Sequence, residues 1–222
     1  MRPQIEAARR TRKSKAVLPS RMIILDEDYV QRMIRERQKL GIDRYDEVWD
    51  GVYVMPPLAN NPHQETVGFL TPIYHEVAPP GSRVFPGANV SDRREDWEKN
   101  FRCPDVVVVL PDSLAVDCGT HWLGGPDFLT EIKSPVDDTE EKIPFYSQVK
   151  VRELLIIERD SRALRLLRHD GRELVDVPPT PFKGKPWFVS EVLPLAFRQL
   201  VHQGQARMEI RRTDKGSGKW IV

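Results

Sequence analysis

Residues 104–110 read PDVVVVL, and residues 128–133 read FLTEIK. Val106 to Leu110 is apolar, β-branched and of strand length, with prolines at 104 and 111, so it reads as a buried strand. Phe128 to Ile132 reads as a second. Asp105 stands at the head of the first, and Glu131 and Lys133 at the tail of the second. Side chains alternate between the faces of a strand, so Glu131 and Lys133 share one face. If the two strands are neighbours, Asp105 joins them, and two carboxylates and an ammonium meet at one end of a sheet.

That combination has a chemistry. Hard cations such as Mg²⁺ or Mn²⁺ prefer oxygen ligands, and two carboxylates with substrate phosphate oxygens make a typical site. Such an ion polarises a phosphodiester and acidifies water. A lysine nearby can hold or deprotonate that water, or stabilise charge on phosphorus. The plainer reading is a pair of strand-end carboxylates, one in an ion pair with Lys133. Buried charge is costly unless paired or metal-bound, and both acids border apolar runs. Glu47, just before the turn at Asp50-Gly51, is a further candidate from an earlier element. Lys142 is either a second cation at this site or one of a solvated Glu140-Glu141-Lys142 group. His63, opening a helix with Gln64, reads as a capping or solvated side chain.

Around these strands the chain alternates helices with strands. A first helix starts after an Asp26 cap, with Leu25 and Val30 spaced as a hydrophobic staple, and stops at Gly41. Residues 45–55 form a hairpin turning at Asp50-Gly51. Asn61-Pro62 opens a second helix, Asn as cap and Pro in the first turn, with a kink at Pro72 and an end at Pro79-Pro80-Gly81. Arg83 to Val90 is a strand, and Ser91 to Asn100 a charged loop. Pro111 to Pro126 is a long connection. Asp137 or Asp138 caps a third helix running to about Val151, with Tyr146 and Val149 inward. Leu154 to Ile157 is a third buried strand, and residues 163–177 a hairpin at Asp170-Gly171. Pro178 to Pro186 is a loop. Ser190 to His202 reads as a helix broken near Pro194, and the remainder as a polar, frayed tail. Three parts result: a basic, flexible arm over 1–20, a core domain over 21–177, and a C-terminal extension over 178–222 whose helix packs on the core. The fold class is α/β or α+β, a mixed central sheet flanked by helices.

Composition adds limits. The 222 residues, 40% hydrophobic, suffice for a packed core. Lys and Arg total 34 against 33 Asp and Glu, so no global charge advertises a nucleic-acid binder and any basic surface is local. Two cysteines, Cys103 and Cys118, make no disulfide framework and read as thiols of a reducing compartment. No apolar run approaches the ~18 residues of a membrane span, and no signal-peptide pattern opens the chain. A cytoplasmic location is expected, with no membrane partner.

At these same residues the chain resembles the Uma2 family, described as restriction endonucleases of the PD-(D/E)XK nuclease superfamily. The landmarks run in order from about Asp43 to Val177. They are the Tyr45–Gly51 segment with Glu47, Met55-Pro56-Pro57 followed by His63-Gln64, Pro104-Asp105 with its valines, and Gly125 to Pro135 around Glu131. Lys142, Tyr146, Val151 and the strand at Glu153–Ile157 complete the set. The resemblance implies a restriction-endonuclease-like core, with Asp105, Glu131 and Glu47 as metal ligands and Mg²⁺-dependent phosphodiester hydrolysis as the reaction. The family often has an apolar residue where Lys133 stands and relies on the helix lysine. This chain has both, so Lys133 and Lys142 are both candidates for the catalytic lysine. Lys150 occupies a position that is usually glycine.

Three functions compete on this reading. The first is a DNA endonuclease, for which double-strand cutting by one site per chain would call for a homodimer. The second is a non-catalytic nucleic-acid- or partner-binding module on a nuclease scaffold, favoured by the near-zero net charge. The third is a hydrolase of some other phosphate ester. Fold alone does not choose among them.

Overall fold

The computed structural model describes residues 27–56, 59–135 and 138–222. The basic arm, the Leu25 and Asp26 signals and Asp137 lie outside them. Helix α1 (Glu27–Leu40) leads to strands β1 (Glu47–Trp49) and β2 (Val52–Val54), then α2 (Asn61–Val77), β3 (Arg83–Pro86) and β4 (Val90–Ser91). A 3-10 turn at Trp97–Lys99 precedes β5 (Phe101–Arg102), β6 (Val106–Val109), β7 (Val116–Asp117), β8 (Trp122–Leu123) and β9 (Phe128–Lys133). Helix α3 (Thr139–Gln148) leads to β10 (Glu153–Glu158), β11 (Leu164–His169) and β12 (Leu174–Val177). The chain ends in β13 (Thr180–Phe182), β14 (Lys185–Val189), β15 (Leu195–His202), β16 (Gln205–Arg212) and β17 (Lys219–Ile221). This is a mixed α+β fold. Among the described residues no helix is long and apolar enough to cross a membrane.

The central sheet has the order β12-β11-β10-β9-β6-β3. Strands β9 and β10 run parallel with α3 as their crossover, and the other pairs are antiparallel. Alternation along these strands sorts the core into two layers. Val106, Val108, Phe128, Leu155 and Ile157 face α2, where Leu70, Ile73 and Tyr74 are buried. Val107, Val109, Leu129, Leu154 and Ile156 face α3, against Phe145, Tyr146 and Val149. Asp105 and Glu131 have the parity of the second set. Val106 pairs with Thr130, so one step further Asp105 stands opposite Glu131, facing α3. A second sheet, β2-β1-β5-β4-β8-β7, contributes Val90 and Trp122 to the α3 layer.

The C-terminal region corrects the sequence reading. No helix forms over Ser190–His202, and the tail is not frayed. A five-stranded antiparallel sheet, β13 to β17, takes their place. Leu195, Phe197, Met208 and Ile210 are fully buried in the α2 layer. Val222 is buried and exchanges both backbone hydrogen bonds with Met208. The physical cause is turn chemistry. Gln203 (φ 51°) and Gly204 (φ 75°) form a two-residue turn between paired His202 and Gln205, and Lys183 (φ 50°) and Gly184 (φ 73°) do the same between Phe182 and Lys185. Positive φ at both turn positions matches the twist of a tight hairpin. Smaller differences follow the same logic. Asn60, not Asn61, caps α2, its side chain accepting the His63 N–H. Asp138 occupies the cap position of α3 without a capping bond from its side chain. The long connection at Pro111–Pro126 carries the short strands β7 and β8.

Candidate active site

Three carboxyl groups and one ammonium meet where β1, β6, β9 and α3 converge. Glu47 comes from β1, the first arm of the Asp50-Gly51 hairpin, which pairs with β5 just ahead of Cys103 and Asp105. Its Oε1 accepts the Cys103 N–H at 2.8 Å and faces the Lys142 Nζ at 2.9 Å. Its Oε2 accepts the Trp49 indole N–H at 2.6 Å. Lys142 also donates to both oxygens of Glu131, at 3.2 and 3.4 Å. One turn further along α3, the Tyr146 hydroxyl donates to Glu131 Oε1. Asp105 binds its neighbours through both oxygens: Oδ2 accepts the Ile132 N–H at 2.7 Å, and Oδ1 lies 2.8 Å from His63 Nε2.

Access is graded. The side chains of Glu47 and Glu131 are 3% and 5% exposed, Lys142 and His63 13%, Asp105 20%. Asp105 and His63 therefore form the mouth and Glu131 the floor.

Burial dominates the electrostatics. Desolvation pushes the Glu131 carboxyl up to about 8, with Asp105 and Glu47 adding to the rise and Lys142 opposing it. Burial alone would depress Lys142, yet the charges of Glu131 and Glu47 outweigh it and hold the ammonium well above the ordinary lysine value. Burial, reinforced by the same acids, also raises Tyr146, so its hydroxyl stays a donor. One ammonium among three carboxyls leaves an excess of negative charge, which adds to the rise at Glu131. The Cys103 thiol is pushed up to about 12, chiefly by burial, which disfavours its thiolate.

Lys133 is elsewhere. It shares the sheet face of Glu131, but its ammonium turns outward to Glu140 at 3.1 Å and Glu158 at 3.5 Å. Of the two candidate lysines, Lys142 is the one among the carboxylates. The sequence reading placed His63 in a cap or in solvent, and Tyr146 on a packing face. Both reach into the cluster. The signal for Tyr146 was its position four residues after Lys142, on the same side of a helix.

The donor set is all oxygen, the chemistry Mg²⁺ prefers. Among the described residues, however, no three His, Cys, Asp or Glu side chains are arranged to hold one ion. All six oxygens of Glu47, Asp105 and Glu131 already have partners, so an ion would share or displace those bonds. Asp105 and Glu131, opposite each other across β6 and β9, make a two-carboxylate set, and Mg²⁺ commonly uses one or two carboxylates and keeps its waters. The residues present fit the ion in that form.

A family model for Uma2, described as "Putative restriction endonuclease", matches residues 27–201. The chain belongs to the Uma2 family. The match runs past Val177 into β15, and so spans β13, β14 and most of β15. Among solved structures, a protein of Anabaena variabilis titled "a putative nuclease belonging to DUF820" is 17% identical, over 62% of this chain and 80% of that one, with a TM-score of 0.47. No curated protein matches. Lys150 has a left-handed backbone (φ 66°) just after α3.

Proposed function

We propose that this Uma2 protein is a Mg²⁺-dependent endonuclease that hydrolyses phosphodiester bonds in DNA through a PD-(D/E)XK type site. The observation that carries the reading is the buried cluster of Glu47, Asp105, Glu131 and Lys142 at one strand end, with Asp105 at its mouth. Asp105 and Glu131 are the residues that would hold Mg²⁺ or Mn²⁺, which supplies charge stabilisation for the phosphoryl oxygens when bound. His63 and the Ile132 N–H fix the Asp105 carboxylate, and Tyr146 fixes that of Glu131. Glu47, the third carboxylate of the set, faces the Lys142 ammonium at 2.9 Å and anchors it. A lysine held protonated is a donor rather than a base, so Lys142 stabilises negative charge developing on the phosphoryl group. Water attacks phosphorus and loses a proton to solvent, and the bond to the leaving oxygen breaks as that oxygen takes up a proton from solvent.

The test is cleavage of plasmid and linear DNA with Mg²⁺ or Mn²⁺ by the parent chain, Asp105→Asn and Glu131→Gln. Loss of cleavage by at least a hundredfold in both variants, with melting behaviour unchanged or improved, is expected. Undiminished metal-dependent cleavage by either variant refutes the assignment.

A second reading has its own observation: Lys142 already pairs with Glu47 and Glu131, and no three-ligand group forms among the described residues. It is a non-catalytic nucleic-acid-binding module. Duplex binding that weakens steeply with salt, without turnover under any divalent ion, would select it.

A further inference from the structure

A cavity of about 310 Å³ opens beside the carboxylate cluster. The two share a wall. Cys103, whose N–H holds Glu47, lines the cavity, and so does Gly87, whose N–H donates to the Asp105 carbonyl at 3.0 Å. On one side stands the exposed Tyr45 ring, with the Arg44 guanidinium over its face at 5.3 Å. On the other, the Phe85 and Trp122 rings pack at 5.9 Å, and the Arg83 guanidinium lies 5.0 Å from each ring. Gly87, at φ 74°, lets the Tyr45 ring close on the backbone, since a Cβ there would come within 2.9 Å of Tyr45 Cε1.

Aromatic faces paired with guanidinium groups form a surface for one class of ligand above others. Bases stack on aromatic rings and on arginine planes, and phosphates take the remaining guanidinium donors. Two arginines against Asp117, which pairs with Arg83, leave the cavity net positive. Its volume lies at the small end of ligand pockets, the scale of a single nucleotide, and a base still paired and stacked in a duplex presents no free face to it.

We propose that this cavity binds one unstacked deoxynucleotide of the substrate, single-stranded or extruded, and seats its neighbouring phosphate at the mouth by Asp105. Tyr45 supplies the stacking face, and Arg83 and Arg44 the positive charge. The proposal rests on the nuclease reading and names the form of DNA that the site takes.

The test is binding without turnover: the full chain in EDTA, titrated with a single-stranded oligodeoxynucleotide carrying 2-aminopurine and with the same strand in a perfect duplex. The single strand is expected to bind about tenfold more tightly, with the fluorophore quenched by stacking. Tyr45→Leu should weaken single-strand binding about tenfold and relieve the quenching, and Tyr45→Phe should restore both. Arg44→Ala, at an exposed position, is a second variant that should weaken binding if Tyr45→Leu folds poorly. Parent-like quenching in both Tyr45→Leu and Arg44→Ala, or equal duplex and single-strand affinity without a 2-aminopurine response, overturns the proposal. The two readings fail separately. An intact pocket signal with no cleavage under any divalent ion sinks the nuclease assignment alone. Cleavage by Tyr45→Leu at the parent's rate, with no strand preference, sinks the pocket alone.

Discussion

At Glu131 the fold raises a carboxyl group's hold on its proton, chiefly by burial. The sign of its effect on stability follows. The folded state keeps the proton up to about 8, whereas the unfolded chain releases it near the ordinary value of 4.5. Between those limits the folded state binds more protons, so this group's contribution is fully present below about 4.5 and is lost as pH rises to about 8. Glu131→Gln, which cannot ionise, should therefore be more stable than the parent in EDTA. The advantage should be small at pH 5 and on the order of 1 kcal/mol or more at pH 8. Urea melts at both pH values measure it; an advantage that shrinks with pH contradicts the upward shift at Glu131. The two lysines separate as cleanly. Lys133 pairs with half-exposed acids, so Lys133→Met should cost no more than about 1 kcal/mol and leave metal-dependent cleavage within a few-fold. Lys142→Met strips the buried Glu47 of its cation and should cost about 3–5 kcal/mol. Equal effects of the two substitutions on melting would overturn this division. Much of this cluster was legible in the sequence, because Asp105 and Glu131 stand at the ends of two buried strands and Glu47 lies just before the turn at Asp50-Gly51; the register of Val106 with Thr130 then sets Asp105 opposite Glu131. The choice between Lys133 and Lys142 was not. Parity puts Lys133 on the right face, and only the outward position of Glu140 and Glu158 turns its ammonium away.

At the scale of the element, ends and turns decide. Helix α3 stops at Val149, and Lys150 reverses the chain with a left-handed backbone that costs an L-residue about 1 kcal/mol or more. Its side chain is exposed. Lys150→Gly should therefore stabilise the protein by up to about 1 kcal/mol, read as a raised urea midpoint; a lowered midpoint would mean the lysine has a contact that outweighs the strain. The opposite substitution is forbidden nearby. Gly125 donates its N–H to Val149 at 2.6 Å, and a Cβ on it would lie 2.3 Å from the Val151 nitrogen. Gly125→Ala should cost about 1–3 kcal/mol and shift the end of α3, which bears Lys142 and Tyr146. The turns also account for what sequence reasoning missed. Asp50-Gly51, Lys183-Gly184 and Gln203-Gly204 all have positive φ at both positions and join strands in immediate register. Only the first carries the Asp-Gly pair that marks such a turn in sequence. Without that mark, Phe197, Leu200 and Val201 suggest a helix, although Leu195 to Phe197 are buried as part of a strand.

At the scale of the whole molecule, the C-terminal sheet belongs to the core rather than to an appendage. Leu193, Leu195, Phe197, Met208 and Ile210 cover the α2 layer, where Leu70, Tyr74, Phe128, Leu155 and Ile157 are fully buried. Glu153, fully buried on the central sheet, has Arg168 as its cation, and its remaining partners are the Ser190 hydroxyl and the Glu191 N–H. Cutting the chain after Val177 would bare those apolar side chains and leave Glu153 short of two donors. Re-exposing five large side chains, at ~1.5–3 kcal/mol each, comes to roughly 10 kcal/mol. Breaking a buried charged network adds a few more. A domain of this kind has only about 5–15 kcal/mol in total. The fragment 27–177 should therefore lack cooperative thermal unfolding and aggregate on purification, although it holds every residue of the carboxylate cluster. Circular dichroism melts of the fragment and the full chain decide the matter. A sharp transition in the fragment would mean that the central sheet folds without its C-terminal cover, and that α2 finds another way to shield its buried face.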